Sequence, residues 1–330
     1  MDKLLIKNVH IIDPSQSLNC ISDIMIEDGV ISKLGKNLTV DCKTIDSSGL
    51  YAAPGLVDMH VHLRDPGFTD KEDIMTGCKS AAAGGVTSLL AMPNTKPAVD
   101  TPETVKYILD KAKNADARVY VVGAITKGLK SEEMTDIPAL KEAGIIALSD
   151  DGRPVVNTKF MAEAMQLADE LGLTVTAHCE DLFLADGGKI NEGKVSKLLG
   201  IKGIPAAAED TGTAREIAIA AAYGTAIHIC HVSTATSVAL VRDAKARGVR
   251  VTAETCPHYF TFTENELLKR DADFRMNPPL RTETDRQAII DGLLDGTLDA
   301  ISTDHAPHTP EEKADFEKSP NGSIGMETSF

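Results

Sequence analysis

From Pro54 onward the chain repeats one unit, a short apolar strand followed by a helix with an apolar stripe. Eight strand segments can be read off: "GLVDMHVH", "GVTSLLAMPN", "ARVYVVGAIT", "GIIALSDD", "LTVTAHCE", "AIHICHVS", "VRVTAETCPH" and "LDAISTDH". Strands that alternate with helices pair in parallel, and eight is the number that closes a (β/α)8 barrel. The intervening segments carry helix signals. In "TPETVKYILDKAKN", Thr101 suits the N-cap and Pro102 the first helical position, with Val105, Ile108, Leu109 and Ala112 on one face. "NTKFMAEAMQLADELG" closes at Gly172, where the chain can turn left-handed past the helix end. An open doubly wound sheet competes, but no GxGxxG follows the first strand.

Residues 1–53 have another texture. "LLIKNVHII" and "DIMIEDGVISKLG" are rich in isoleucine and valine and are broken by Asp-Pro and Asp-Gly turns. The expectation is an amino-terminal β domain, part of a β-sandwich, over 1–53 and an α/β TIM-type barrel over 54–330. The stretch from Asp181 to Asp210 is long for a strand–helix connection and rich in glycine. A surface excursion with some helix is expected there.

A net charge of −15 excludes nucleic acid as a partner, because phosphate binding needs basic surface. An anionic substrate would require a local cluster of positive charge. The six cysteines (20, 42, 78, 179, 230 and 256) form no CxxC pair, and "MDKLLIKNVHIID" lacks the apolar run of a leader. Reduced thiols and a cytoplasmic setting are expected. "IAIAAAYGTAI" is too short to span a bilayer.

In a parallel barrel the site lies at the carboxyl ends of the strands. Those ends carry His60, His62 and Arg64 on strand one, Asn94 on strand two, Asp150 and Asp151 on strand four, His178 on strand five and His231 on strand six. Strand eight brings Asp304, His305 and His308. Six of the nine histidines fall at such positions. Side chains two apart on a strand share a face, so His60 and His62 point one way and Val61 the other. The same rule predicts that Cys179 and Cys230 face away from their neighbouring histidines into core packing, and that His228 faces away from His231. His10, in the β domain, reads as structural. Imidazoles with carboxylates suit zinc. Four histidines (60, 62, 178, 231) and two aspartates (151, 304) exceed one tetrahedral set. That excess points to two metals about 3.5–4 Å apart, sharing a carboxylate and a hydroxide.

The ordered set of HxHxR, "AMPNT", "SDDG", "HCED", "CHVST", "NPPLR" and "STDHAPH" resembles the dihydroorotases of the amidohydrolase superfamily, in their longer type I branch. The likeness runs the length of the chain. It implies reversible cyclisation of N-carbamoyl-L-aspartate to L-dihydroorotate, a step of pyrimidine synthesis. Residue by residue, it implies that His60, His62 and Asp304 hold one zinc and His178 and His231 a second, with Asp151 and a hydroxide as the bridge. Asp304 would also be the general acid/base. Arg64, Asn94 and His308 would clamp the substrate carboxylate. His62, Asn277 and the backbone at Asn321 and Gly322 would meet the substrate as well.

Hydantoinases and allantoinases, related in fold, carry a carbamylated lysine at the bridge. "GIIALSDDG" has no lysine, and only the family pattern selects Asp151 over Asp150. The alternatives are therefore such a cyclic amidohydrolase, or a non-catalytic scaffold for aspartate transcarbamoylase. A homodimer is a further expectation. The chain stops at "GMETSF", where family members continue with the eighth helix and a return to the β domain. A fragment of a longer fold, without its last helix, is expected.

Overall fold

The computed structural model describes residues 2–330. The chain divides into two units, Met1–Leu56 and Val57–Phe330. In the first lie β1 (Lys3–Asp13), β2 (Leu18–Glu27), β3 (Val30–Gly35), β4 (Lys43–Asp46) and β5 (Tyr51–Ala52). They pair in the order β3-β2-β1-β4, with β5 also on β1. The β2–β3 hairpin turns at Asp28 and Gly29, both left-handed (φ 51° and 79°), as the tight Asp-Gly turn demands. Val9, Ile11 and Ile24 form its core. His10 stacks on Tyr51, and its Nε2 is 2.7 Å from Asn19 Oδ1.

The second unit is the barrel. Its strands are β6 (Leu56–Val61), β7 (Val86–Ala91), β8 (Arg118–Gly123), β9 (Ile145–Leu148) and β10 (Thr174–Ala177). After the outlying pair β11 (Ile190–Asn191) and β12 (Gly203–Ile204) come β13 (Ile227–Ile229), β14 (Val251–Thr255) and β15 (Ala300–Ile301). The eight barrel strands neighbour one another in chain order. A parallel bridge between Val61 and His305, with His62 N donating to His305 O at 2.8 Å, brings the last strand end to the first. The barrel is nearly closed, by a bridge where the other seams have ladders.

The helices are α1 (Ile74–Ala83), α2 (Pro102–Ala112), α3 (Ile137–Ala143), α4 (Thr158–Glu170), α5 (Leu182–Ala185), α6 (Lys194–Leu199), α7 (Ala206–Tyr223), α8 (Ala235–Ala246), α9 (Pro257–Thr261), α10 (Glu283–Leu294) and α11 (Pro310–Lys313). Thr101 caps α2 by accepting from Thr104 N at 3.3 Å, and Val105 and Ile108 are buried. Gly172 takes a left-handed φ of 65° just beyond α4.

Alternation along the strands builds two layers. Val61, Leu89, Val121, Val175, Ile227 and Ala253 join helix residues in the main core. The residues between them fill the barrel. Met92, Val122 and Ala147, with Leu90 against them, form an apolar cluster on one side. Asp58, His60, His228 and Glu254 are buried on the other.

The excursion from Asp181 to Asp210 contains α5, β11, α6 and β12, and it is anchored. Ile190 and Val195 share a small core with Leu267, Ala272 and Phe316. Arg281, 4% exposed, donates to Asn191 Oδ1 (2.9 Å), Ile204 O (3.1 Å) and Ser233 Oγ (3.1 Å) and pairs with Glu209 at 3.4 Å. Removing one partner of a buried pair leaves the other charge uncompensated. Arg281→Met is expected to lower unfolding free energy by about 3 kcal/mol, the low end of the range, because Glu209 keeps Ser233 and Thr234 as donors. Urea denaturation reads this directly, and a loss below about 1 kcal/mol would show that the anchor contributes little.

Among the described residues, no helix is long and apolar enough to cross a membrane. All six cysteines are free.

Candidate metal centre

Four imidazoles converge where the strands end. Asp151 sits at their centre. Its Oδ1 lies 3.2 Å from His60 Nε2, 3.4 Å from His231 Nε2 and 3.6 Å from His178 Nδ1, and its Oδ2 lies 3.5 Å from His62 Nε2. Asp304 Oδ1 is 3.1 Å from His62 Nε2 and 3.8 Å from His60 Nε2. His178 Nδ1 and His231 Nε2 are 3.0 Å apart. Among the described residues three donor groups are close enough to hold an ion, and two of them lie here: His60, His62 and Asp151, and Asp151, His178 and His231. Asp151 belongs to both. Asp150 turns the other way, accepting from Ile125 N (2.7 Å) and Thr126 N (3.1 Å).

The electrostatics favour a bound cation. Burial alone would raise the Asp151 carboxyl, yet the charge of His60, with His178 and His231 beside it, holds it well below the carboxylate range. Burial also works to raise Asp304, and His62, His60 and His231 bring it to about 2. Burial works to lower His178, but Asp151 and Glu180 lift it to about 10. The cluster thus draws positive charge, which protons supply in the bare protein and a metal replaces. His60 Nε2 is buried without a hydrogen-bond partner among the described residues, as a nitrogen reserved for a metal would be.

Backbone strain collects here. Arg64, His231 and Asp304 all have positive φ (60°, 36° and 50°), a conformation unfavourable for residues with a Cβ. At β13 this breaks the face rule. Ile227 and Ile229 pack outward, so His228 and Cys230 face the barrel interior. The left-handed turn then swings His231 inward as well. The expectation that Cys230 and His228 face away is therefore corrected. Cys230 joins His60 and Glu254 in a third group of neighbouring donors, and His228 Nε2 lies 3.4 Å from Glu254 Oε2. Cys179 does pack in the main core.

Above the cluster is a cavity of about 230 Å³ lined by His62, Arg64, Asn94, Asp151, His178, His231, Asn277, Asp304, Asn321 and Gly322, among others. Arg64 Nε donates to Pro307 O at 3.1 Å, and its Nη2 lies 3.4 Å from His308 Nε2. Burial, then the charge of Arg64, push His308 down to about 4, so it is neutral at pH 7. Either neutral tautomer is satisfied. Nδ1 faces Glu312 Oε2 at 3.1 Å and Lys71 Nζ at 3.4 Å, and Nε2 faces Asn321 O at 3.0 Å as well as Arg64.

Some sequence-derived residues have further ties. Asn94 Oδ1 sits 2.8 Å from His62 Nδ1, so this residue also orients an imidazole. Asn277 donates to Glu180 at 3.3 Å. Gly322 N donates to Arg275 O at 2.9 Å, which leaves that N–H engaged. A Cβ at Gly322 would come 2.5 Å from Ala306 O, so only glycine fits at this cavity wall. His305 lies beside the site and not in it, with Nε2 2.6 Å from Glu72 Oε2 and Nδ1 accepting from Gly325 N at 3.1 Å.

Sequence reasoning missed Glu180, Glu254 and Lys71. Glu180 stands two residues beyond His178, so the face rule could have found it; its Oε2 lies 3.3 Å from His178 Nε2. Glu254 is a lone carboxylate in an apolar strand. Nothing local marks Lys71, which meets His308 through the fold.

Comparison with known proteins gives a family. Residues 49–237 match the family described as Dihydro-orotase-like. Proteins named dihydroorotase are similar over nearly the whole chain. The one from Ruminiclostridium cellulolyticum is 52% identical over 99% of this chain and 77% of its own length. That of Geobacter sp. (strain M21) is 52% identical over 99% and 78%. Among solved structures, an L-hydantoinase (dihydropyrimidinase) from Arthrobacter aurescens superposes with a TM-score of 0.85 at 23% identity, covering 100% of this chain and 76% of that one. A D-hydantoinase from Thermus sp. gives 0.80 at 28% identity, covering 98% and 74%. The hydantoinase likeness fits a barrel preceded by a β unit.

Proposed function

Because the chain belongs to the dihydro-orotase-like family, we propose that it catalyses the reversible closure of N-carbamoyl-L-aspartate to L-dihydroorotate. The observation that carries this reading is Arg64 beside His308 at a cavity whose floor is the His/Asp cluster. A guanidinium there suits a substrate with a carboxylate. A hydantoin or allantoin ring gives it no such partner. β9 runs into Ser149, Asp150 and Asp151, with no lysine.

The donors fit two divalent ions, which we assign as zinc: His60, His62 and Asp304 for one, His178 and His231 for the other, Asp151 between. Bound zinc supplies water with a pKa near 7 and a Lewis acid for the amide carbonyl. The chain's own residues do the rest. Arg64 and the neutral His308 hold the substrate carboxylate. Asn94 and Asn277 line the cavity on the ring's path. In hydrolysis Asp304 takes the proton of the attacking water and delivers it to the leaving ring nitrogen, so the N–C bond breaks as the C–O bond forms. In synthesis the same carboxylate removes the proton from the carbamoyl nitrogen. The positive charge gathered here offsets the acidic surroundings of an anionic substrate. The six free cysteines support a reducing, cytoplasmic setting.

The test is turnover of dihydroorotate by metal-loaded protein, with hydantoin and allantoin as controls and zinc content measured in parallel. About two zinc equivalents per chain are expected, and a preference for dihydroorotate of at least roughly 100-fold. Faster turnover of hydantoin would transfer the chain to the other substrate class. Protein that takes up no zinc would remove the metal mechanism.

A further inference from the structure

Below the four imidazoles lies a row of polar groups to which the proposed reaction gives no task. Glu254, on β14, is fully buried. Its Oε1 lies 3.2 Å from His60 Nδ1 and its Oε2 3.4 Å from His228 Nε2. His228 Nδ1 is in turn 2.8 Å from Thr252 Oγ1. The opposite side of the barrel interior is filled by Leu90, Met92, Val122 and Ala147. An apolar side chain could complete that packing without the desolvation cost that a buried carboxylate carries.

Hydrogen positions can be assigned along the row. Thr252 Oγ1 and His228 Nδ1 share a hydrogen bond. His228 Nε2 stands at ion-pair distance from Glu254 Oε2, neither atom having a hydrogen-bond partner among the described residues, and His60 Nδ1–H donates to the other oxygen of the same carboxylate. Only the last of these proton placements bears on the site. With a proton held on Nδ1, Nε2 is the His60 nitrogen left for a metal on the Asp151 side, where that atom has no hydrogen-bond partner among the described residues. A carboxylate behind an imidazole also fixes the ring plane and strengthens its donor nitrogen. The four imidazoles are not backed alike. His62 Nδ1 faces the amide oxygen of Asn94 at 2.8 Å, and His178 Nε2 faces Glu180 at 3.3 Å. Only His60 is backed by a carboxylate sealed from solvent at the barrel's centre.

We propose that Glu254 is a positioning residue that locks the His60 ring with its proton on Nδ1 and so presents Nε2 as a metal donor, with His228, oriented by Thr252, as the ion-pair neighbour of its other oxygen. This rests on reading the His/Asp cluster as a metal centre. The test is zinc affinity of the metal-stripped full chain, measured by competition with a chromophoric chelator, for the native sequence, Glu254→Gln and His228→Gln. Melting of each stripped chain is recorded alongside. Glu254→Gln keeps the shape but not the charge. It is expected to weaken one zinc per chain about 10- to 100-fold while the stripped chain melts within a few degrees of the native one. Native zinc affinity in Glu254→Gln overturns the proposal, and lowered melting with native affinity does the same by leaving Glu254 a packing role only. Should Glu254→Gln fail to fold, His228→Gln carries the test. There a several-fold weakening supports the proposal and native affinity overturns it. If the native chain itself takes up no zinc, the metal reading has failed, an outcome distinct from all of these.

Discussion

Asp304→Asn is expected to lower kcat for dihydroorotate hydrolysis by about 10²- to 10⁴-fold while KM stays within a few-fold. The carboxylate is buried, and His62 Nε2 lies 3.1 Å from Oδ1. Its pKa of about 2 keeps it ionised throughout the neutral range, so it can accept a proton from the attacking water. An amide of the same shape cannot. The substrate carboxylate is held elsewhere, by Arg64 and His308, which is why kcat and KM should separate. Zinc content of the variant distinguishes two losses. Two equivalents with collapsed kcat assign the loss to proton transfer. One equivalent assigns at least part of it to the metal bond. A kcat within tenfold of the native value would remove Asp304 as the acid/base.

Much of this was legible in the sequence because the barrel converts a linear rule into a spatial one. Strand ends converge, so His60, Asp151, His178, His231 and Asp304 meet although more than 240 positions separate the first from the last. Face alternation placed His60 and His62 together and Cys179 in the core. It failed at β13, because the rule assumes extended backbone. At His231 φ is 36°, and one left-handed residue puts consecutive side chains Cys230 and His231 on the same side. No residue-type signal announces that, since the position is not a glycine. The choice between Asp150 and Asp151 was illegible for a related reason. Both lie in the turn after β9, and what separates them is tertiary: the amides of Ile125 and Thr126 capture Asp150. Lys71 and Glu254 escaped because their partners are distant in sequence: His308 for the first, His60 and His228 for the second.

Arg64→Met is expected to raise KM for dihydroorotate at least about 100-fold with kcat changed only a few-fold. Two charge-assisted hydrogen bonds to a carboxylate contribute roughly 1.5–3 kcal/mol each, and a factor of ten corresponds to about 1.4 kcal/mol. Arg64 Nε is committed to Pro307 O, which fixes the guanidinium plane and leaves the terminal nitrogens as the donors. Arg64→Lys restores charge but not the planar fork, so only part of the affinity should return. The pH profile separates Arg64 from its neighbour. A His308 titrating near 6.5 would add positive charge on acidification and tighten binding between pH 8 and pH 6. With burial and Arg64 holding it near 4, His308 stays neutral over that range, and KM of the native protein should be flat. Removing the guanidinium in Arg64→Met removes one of the three influences that lower His308, leaving burial and the charge of Lys71. The Met variant alone should therefore regain some affinity toward pH 6. A native KM that falls several-fold between pH 8 and pH 6 would show that His308 carries charge in the clamp, and would leave Arg64 as one cation of two.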